Sequence, residues 1–335
     1  MHSLKSSALK SLALIAVGLT ALAVSATARA GTRTYLSVGD SLAYGYQNDT
    51  VTPTGPAGYP GYTAAYDAFL STQAGTPVSL LDLGIVGETS ATLLQPTSDN
   101  GLLNSNYTGT TSQFALLTST LQDSSRTVGT ITVQIGANDI LGLAASAPFE
   151  QAYFSSDKAA QQQLLSAALT TIAGNEDTLL TQITSLAPMA RVQVLGYYNP
   201  YAALPATNLT NVYLKAVSSA LITGFNATFQ QAAAAHHAQY IDLATPFAGH
   251  EDTLTLSNEL IDGTYPNDHP STAGYAVIAS QLEAAPVPET SARVSTGLLL
   301  LLGLGGIGLA CRRARSGGRH TPKQDFRASL PNFRA

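Results

Sequence analysis

The stretch that decides the fold is Tyr35-Leu36-Ser37-Val38-Gly39-Asp40-Ser41-Leu42. Its first four residues read as a short β-strand that Gly39 stops. A strand ending in Gly-Asp-Ser carries a hydroxyl at its carboxyl end, the edge of an open parallel sheet where ligands collect. Gly39 permits a sharp turn that lifts the hydroxyl clear. The same residues also suit a capping turn, with Asp40 or Ser41 satisfying backbone groups.

Four more short apolar stretches follow, at 78–83, 130–135, 192–195 and 240–243. Each ends near Gly or a polar turn, as strands do. Helical patterns lie between them. Leu165, Leu169, Ile172, Leu179, Ile183 and Leu186 recur at three- and four-residue multiples until Pro188. Val217, Leu221, Phe225 and Phe229 form a second stripe, with Asn208 as its cap. Such stripes mark core-facing helices. Alternating strands and helices imply parallel β-α-β units, hence the α/β class. Residues 97–113, rich in Ser, Thr, Asn and Gly, read as a surface loop, and 46–61, with its Pro and Gly, as a rim or lid.

The ends of the 335-residue chain differ from its middle. Lys5 and Lys10 precede an apolar run, and Ala28-Arg29-Ala30 closes it. This is the pattern of a secretory signal peptide over 1–30. Residues 294–311 form an uncharged run of membrane-spanning length, followed by Arg312, Arg313, Arg315 and Arg319. Just upstream, 286–293 contains Pro288-Glu289. The order Pro-Glu, apolar span, Arg cluster resembles the PEP-CTERM sorting tail, with Thr290 where that motif usually has a second proline. That resemblance implies a transmembrane segment at 294–311, a basic cytoplasmic tail at 312–335 and an exosortase-type sorting enzyme as partner. It also implies export, with a transient inner-membrane anchor before release to the cell surface or outside.

The remaining 31–285 is long enough for one α/β domain with a sizeable core. It holds five basic and 19 acidic side chains, a net formal charge of −14. A surface of that sign repels phosphate backbones, which excludes nucleic acid as a partner. The single cysteine excludes a disulfide framework or a Cys-rich zinc site.

A nucleophilic serine needs a base. His236 and His237 end an Ala-rich helix, and His250 lies in a loop between the fifth strand and the last helix. His269, in Asn267-Asp268-His269-Pro270-Ser271, precedes a helix beginning near Thr272 and can reach the carboxyl edge of the sheet. Acyl transfer also needs donors for an oxyanion. Gly87 follows the second strand and offers a backbone N–H without a side chain. Asn138, in Gly136-Ala137-Asn138-Asp139 after the third strand, offers an amide. Each also suits an ordinary turn.

Taken together, these blocks resemble the SGNH hydrolase family, the GDSL esterases and lipases. Gly39-Asp40-Ser41-Leu42 is similar to its nucleophile block, Gly87 to the glycine of the second block, Asn138 to the asparagine of the third. His269, followed by Gly274-Tyr275, is similar to the histidine of the last. The resemblance spans roughly 35–283. It implies a flavodoxin-like three-layer α/β/α fold with a five-stranded parallel sheet. It further implies Ser41 as nucleophile, His269 as base, an oxyanion hole of Ser41, Gly87 and Asn138, and neither metal nor organic cofactor.

One departure stands out. The family places the triad aspartate three residues before the histidine, where this chain has Pro266. Asp268 is the favoured substitute, which requires a bend because neighbouring side chains on an extended strand point apart. Asp262 and a Ser-His dyad without a carboxylate remain as alternatives. The expected function is a serine esterase acting on an acyl lipid, small ester or acetylated glycan. The competing expectation is an inactive surface or matrix-binding protein on a hydrolase fold.

Overall fold

The computed structural model describes residues 32–48, 61–95, 104, 106–107, 111–261 and 265–286. Five strands form one parallel sheet: β1 (Thr32–Gly39), β2 (Ser79–Asp82), β3 (Arg126–Gln134), β4 (Arg191–Leu195) and β5 (Gln239–Ile241). Their spatial order is β2-β1-β3-β4-β5, with every neighbouring pair parallel. This is the expected five-stranded sheet, and the chain reverses direction across it between β1 and β3.

The helices follow from that order. The first two are a short turn, α1 (Ser41–Tyr44), and α2 (Tyr62–Ala74). Beyond β2 come α3 (Ser90–Leu93) and α4 (Gln113–Gln122). Beyond β3 come α5 (Ala137–Ala144), α6 (Ala147–Phe154) and α7 (Lys158–Leu186). The long α8 (Leu209–Ala235) joins β4 to β5. Two short turns, α9 (Ala244–Phe247) and α10 (Glu251–Leu254), lead to a hairpin of β6 (Leu260–Ile261) and β7 (Tyr265–Pro266). Helix α11 (Thr272–Ala284) ends the unit.

The step from β1 to β2 runs opposite to the steps from β2 to β3, β3 to β4 and β4 to β5. Right-handed crossovers therefore put α2 on one face and α4, α7 and α8 on the other. Packing agrees, since α2 lies against α11, and α7 lies against α4, α5, α6 and α8. The central strand β1, covered on both faces, is buried from Thr34 to Gly39. Leu36, Ile131, Val133 and Val194 belong to the core between the layers, with Leu180, Phe225 and Phe229 from α7 and α8.

Local chemistry sets the helix ends. Asn208 caps α8 by accepting from Asn211 N at 2.8 Å, and Ser271 caps α11 through Gly274 N at 3.2 Å. Strand β3 begins four residues before the apolar run at 130–135. Its first half, Arg126–Gly129, is largely exposed, and Gly129 is skipped in the register with β1. A bulged, half-exposed strand start carries no hydrophobic signal. Gln113, at the end of the expected loop over 97–113, opens helix α4 instead.

Among the described residues no helix is long and apolar enough to cross a membrane. The two longest, α7 and α8, carry polar residues such as Gln162, Glu176, Lys215 and Gln230 along their length, whereas a span needs about 20 consecutive apolar residues. The transmembrane segment, the inner-membrane anchoring step, the exosortase-type partner and the localisation built on them are accordingly withdrawn. No sorting-tail feature appears in the described structure. The expected signal peptide at 1–30, the segments at 287–293, 294–311 and 312–335, and most of the expected lid over 46–61 lie outside the described residues.

Helix α7 buries a carboxyl. Glu176 is nearly inaccessible, neither of its oxygens has a hydrogen-bond partner among the described residues, and burial pushes its pKa up to about 8. A carboxyl held neutral in the fold and ionised in the unfolded chain stabilises most below about pH 4.5. That contribution is lost as pH rises through about 8. Thermal unfolding midpoints should fall between pH 5 and pH 8, and Glu176→Gln should flatten part of that fall. An identical slope in the variant would refute the buried neutral acid.

Candidate active site

The site begins at the carboxyl end of β1. Gly39 has φ +154°, and a Cβ there would sit 1.9 Å from the Gln134 carbonyl oxygen. Gln113 holds the same residue from the other side. Its Oε1 accepts from Gly39 N at 2.6 Å and its Nε2 donates to Gly39 O at 2.9 Å. Asp40 N donates to Gln134 O at 3.0 Å, which ties the turn to β3. Asp40 then caps α1, its Oδ1 accepting from Leu42 N at 3.0 Å. Its Oδ2 accepts a short hydrogen bond from Tyr197 Oη. Burial raises the Asp40 pKa to about 7, against the lowering effect of the Tyr197 and Leu42 hydrogen bonds. Asn226 fixes Tyr197 in turn, accepting from its N and donating to its O, both at 2.8 Å.

Ser41 follows as the first residue of α1, where a backbone N–H has no intrahelical acceptor. Its Oγ lies 2.8 Å from His269 Nε2. The two are 228 residues apart and both are buried. Three contacts hold the histidine loop against the serine turn. Tyr46 packs edge-on to the His269 ring at 4.8 Å, Gln47 Nε2 donates to Pro270 O at 3.2 Å, and Asn267 Nδ2 donates to Gln47 O at 2.7 Å.

The other ring nitrogen meets a residue that the sequence reading passed over. His269 Nδ1 lies 2.8 Å from Asn267 Oδ1 and 3.5 Å from Asp268 Oδ1. Asn267 Oδ1 also accepts from His269 N at 3.0 Å. Because the Asn267 amide nitrogen faces the Gln47 carbonyl and its oxygen faces the His269 backbone N–H, the amide orientation is fixed by its surroundings. A polar side chain two residues before the histidine is the signal in the sequence. Asp262 lies outside the described residues.

The remaining site residues come from the loops after β2 and β3. Gly87 occupies an exposed turn with φ +79°. Asn138 Nδ2 donates to Glu88 O at 2.8 Å, joining these two loops. Asp139 reinforces the junction by accepting from Ser90 N and Ser90 Oγ, each at 2.8 Å. An amide nitrogen carries two hydrogens, so Asn138 retains a second donor. The other histidines among the described residues lie apart. His236 bonds Asp177 at 2.8 Å at the end of α8, and His237 and His250 are exposed. Among the described residues no group of three or more His, Cys, Asp or Glu side chains is placed to hold a metal ion.

A parallel α/β sheet with a hydrogen-bonded serine and histidine at its carboxyl edge has the build of an esterase- or lipase-type hydrolase. The chain belongs to the GDSL-like Lipase/Acylhydrolase family, whose model matches residues 37–277. Among solved structures it is similar to an extracellular lipase from Streptomyces rimosus, at 21% identity and TM-score 0.52. That match covers 76% of this chain and 100% of the other. It is likewise similar to the lipase Lip_vut3 from a goat rumen metagenome, at 21% identity and TM-score 0.50, covering 76% of this chain and 97% of the other. At these identities the likeness shows the fold. No curated protein sequence matches the chain.

Gly39→Ala should be among the most damaging single substitutions in the molecule, because its new methyl meets backbone rather than a movable side chain. Denaturant titration should show a loss of at least about 3 kcal/mol. A loss under about 1 kcal/mol would mean that the turn can relax.

Proposed function

We propose that the protein is a serine esterase that works through an acyl-enzyme. The observation that carries this is the 2.8 Å contact between Ser41 Oγ and His269 Nε2 at the reversal point of the sheet. In this scheme His269 takes the hydroxyl proton as Ser41 attacks the ester carbonyl, then protonates the departing alcohol. Water repeats the attack on the acyl-enzyme with the same base. The N–H groups of Ser41 and Gly87 and the free hydrogen of the Asn138 amide receive the oxyanion. Two of the three loops that carry these donors, those after β2 and β3, are tied together at Asn138 and Glu88.

Asn267 takes the orienting position in place of the expected Asp268. Its amide oxygen holds the Nδ1–H tautomer, which leaves Nε2 free to accept from Ser41. Asp268, at 3.5 Å, contributes negative charge beside the imidazolium that forms during attack. The substrate is a carboxylic ester, with acyl lipids, small esters and acetylated glycans as the candidate classes.

Steady-state hydrolysis of p-nitrophenyl esters tests this. Ser41→Ala should abolish turnover while leaving the protein folded. Asn138→Ala should lower kcat by about 10² to 10³. Equal rates in wild type and Ser41→Ala would favour an inactive binding protein on the same fold. For the third member, Asn267→Ala should lower kcat at least tenfold, Asn267→Asp should retain activity, and Asp268→Asn should cost less than Asn267→Ala. The reverse order would restore Asp268 to the role.

A further inference from the structure

Beside the serine lies a cleft between helices α5 and α8, about 500 Å³ including its open mouth. Three of its lining residues are chain neighbours of the proposed machinery. Leu42 follows Ser41, Ala137 precedes Asn138, and Asp268 precedes His269. From there the walls are aliphatic. Ile140, Leu141 and Ala144 come from α5, and Val217, Leu221 and Ile222 from α8.

Its polar groups are few, and only the Tyr201 hydroxyl and the Asp268 carboxylate, the latter beside His269, lack a hydrogen bond among the described residues. Tyr197 Oη donates to Asp40 and Tyr198 Oη donates to Asp268 O at 2.7 Å, so both rings line the cleft while their hydroxyls point to protein acceptors. Ser218 Oγ has the α8 carbonyl of Lys215 at 3.5 Å. A sugar bound here would surrender its hydration for few replacement hydrogen bonds, and buried unpaired hydroxyls are costly. A hydrocarbon chain loses nothing of that kind and gains apolar burial.

We propose that this cleft is the acyl-chain site, and that the enzyme prefers medium-chain fatty acyl esters over acetyl esters. This rests on the serine-esterase function proposed above. From Ala137 to Ala144 helix α5 rises about 10 Å. With C–C bonds of about 1.5 Å, that is room for an acyl chain of roughly eight carbons. Each methylene buried from water favours binding about fourfold, so discrimination between acyl lengths should be large. Leu141 and Ile222 are partly exposed, which makes them suitable positions for added bulk.

The test holds the alcohol constant and varies the acyl group on the full chain. Wild-type kcat/KM for p-nitrophenyl octanoate should exceed that for the acetate by at least tenfold. Leu141→Trp and Ile222→Trp should each lower this ratio at least tenfold, whereas Met189→Trp, at an exposed site outside the cleft, should leave it unchanged. Acetate hydrolysed as well as octanoate, with Ser41→Ala inactive, would overturn the acyl site and leave the esterase standing. A ratio unmoved by both tryptophans would overturn it as well. If no ester is turned over, the esterase function fails, and calorimetric titration with octanoate decides the cleft separately. Binding weakened at least fivefold by Leu141→Trp supports a hydrocarbon site, and absence of binding removes it.

Discussion

The structure depends on one close approach, that of the Gly39 Cα to the Gln134 carbonyl. Strands β1 and β3 are neighbours in the sheet, yet the chain leaves them toward opposite faces. At that reversal two loops must start side by side, and only a glycine lets the first turn sharply under the second. Gln113 then adds two hydrogen bonds to the Gly39 backbone beyond those that Gln134 and Ile85 make with the turn. Ser41 stands where it does because this turn has no room to settle differently.

Around the turn, positioning passes from helix to loop to side chain. Asn226 on α8 grips the Tyr197 backbone, Tyr197 reaches Asp40, and Asp40 caps the turn that carries Ser41. On the other side Tyr275 Oη donates to Tyr46 O at 2.6 Å, and Asn267 reaches Gln47. Serine and histidine thus sit on loops, but each loop is anchored to a long helix. Buried groups with this many satisfied bonds rigidify a site. Three buried acids, Asp40 and Asp82 with pKa values pushed up to about 7 and Glu176 to about 8, stay neutral in the fold where the unfolded chain ionises, so each lowers stability as pH rises from about 4 to its own folded value.

Much of this was legible in the sequence, for physical reasons. The five strands showed because parallel strands covered on both faces must be apolar throughout. Ser41, Gly87, Asn138 and His269 stood out only together, as blocks in order along the chain, because each alone also suits a turn or a cap. Three features escaped. The first half of β3 is exposed and bulged, so it lacks an apolar signature. Gln113 and Tyr197 act through contacts 74 and 157 residues distant, which no local pattern encodes. Asn267 escaped because its contact with the His269 ring depends on the bend of the loop, which residue order does not show. The C-terminal apolar run shows the opposite error, in which composition alone suggested a membrane span that no described helix supports.

The most direct test of the central claim is covalent trapping. A fluorophosphonate that labels activated serine hydroxyls, followed by peptide mapping of the intact chain, reports which hydroxyl is nucleophilic. One adduct, on Ser41, lost in Ser41→Ala and strongly slowed in His269→Ala, is the result the account predicts. Labelling at another residue, or none at Ser41 in a folded wild-type protein, would contradict it.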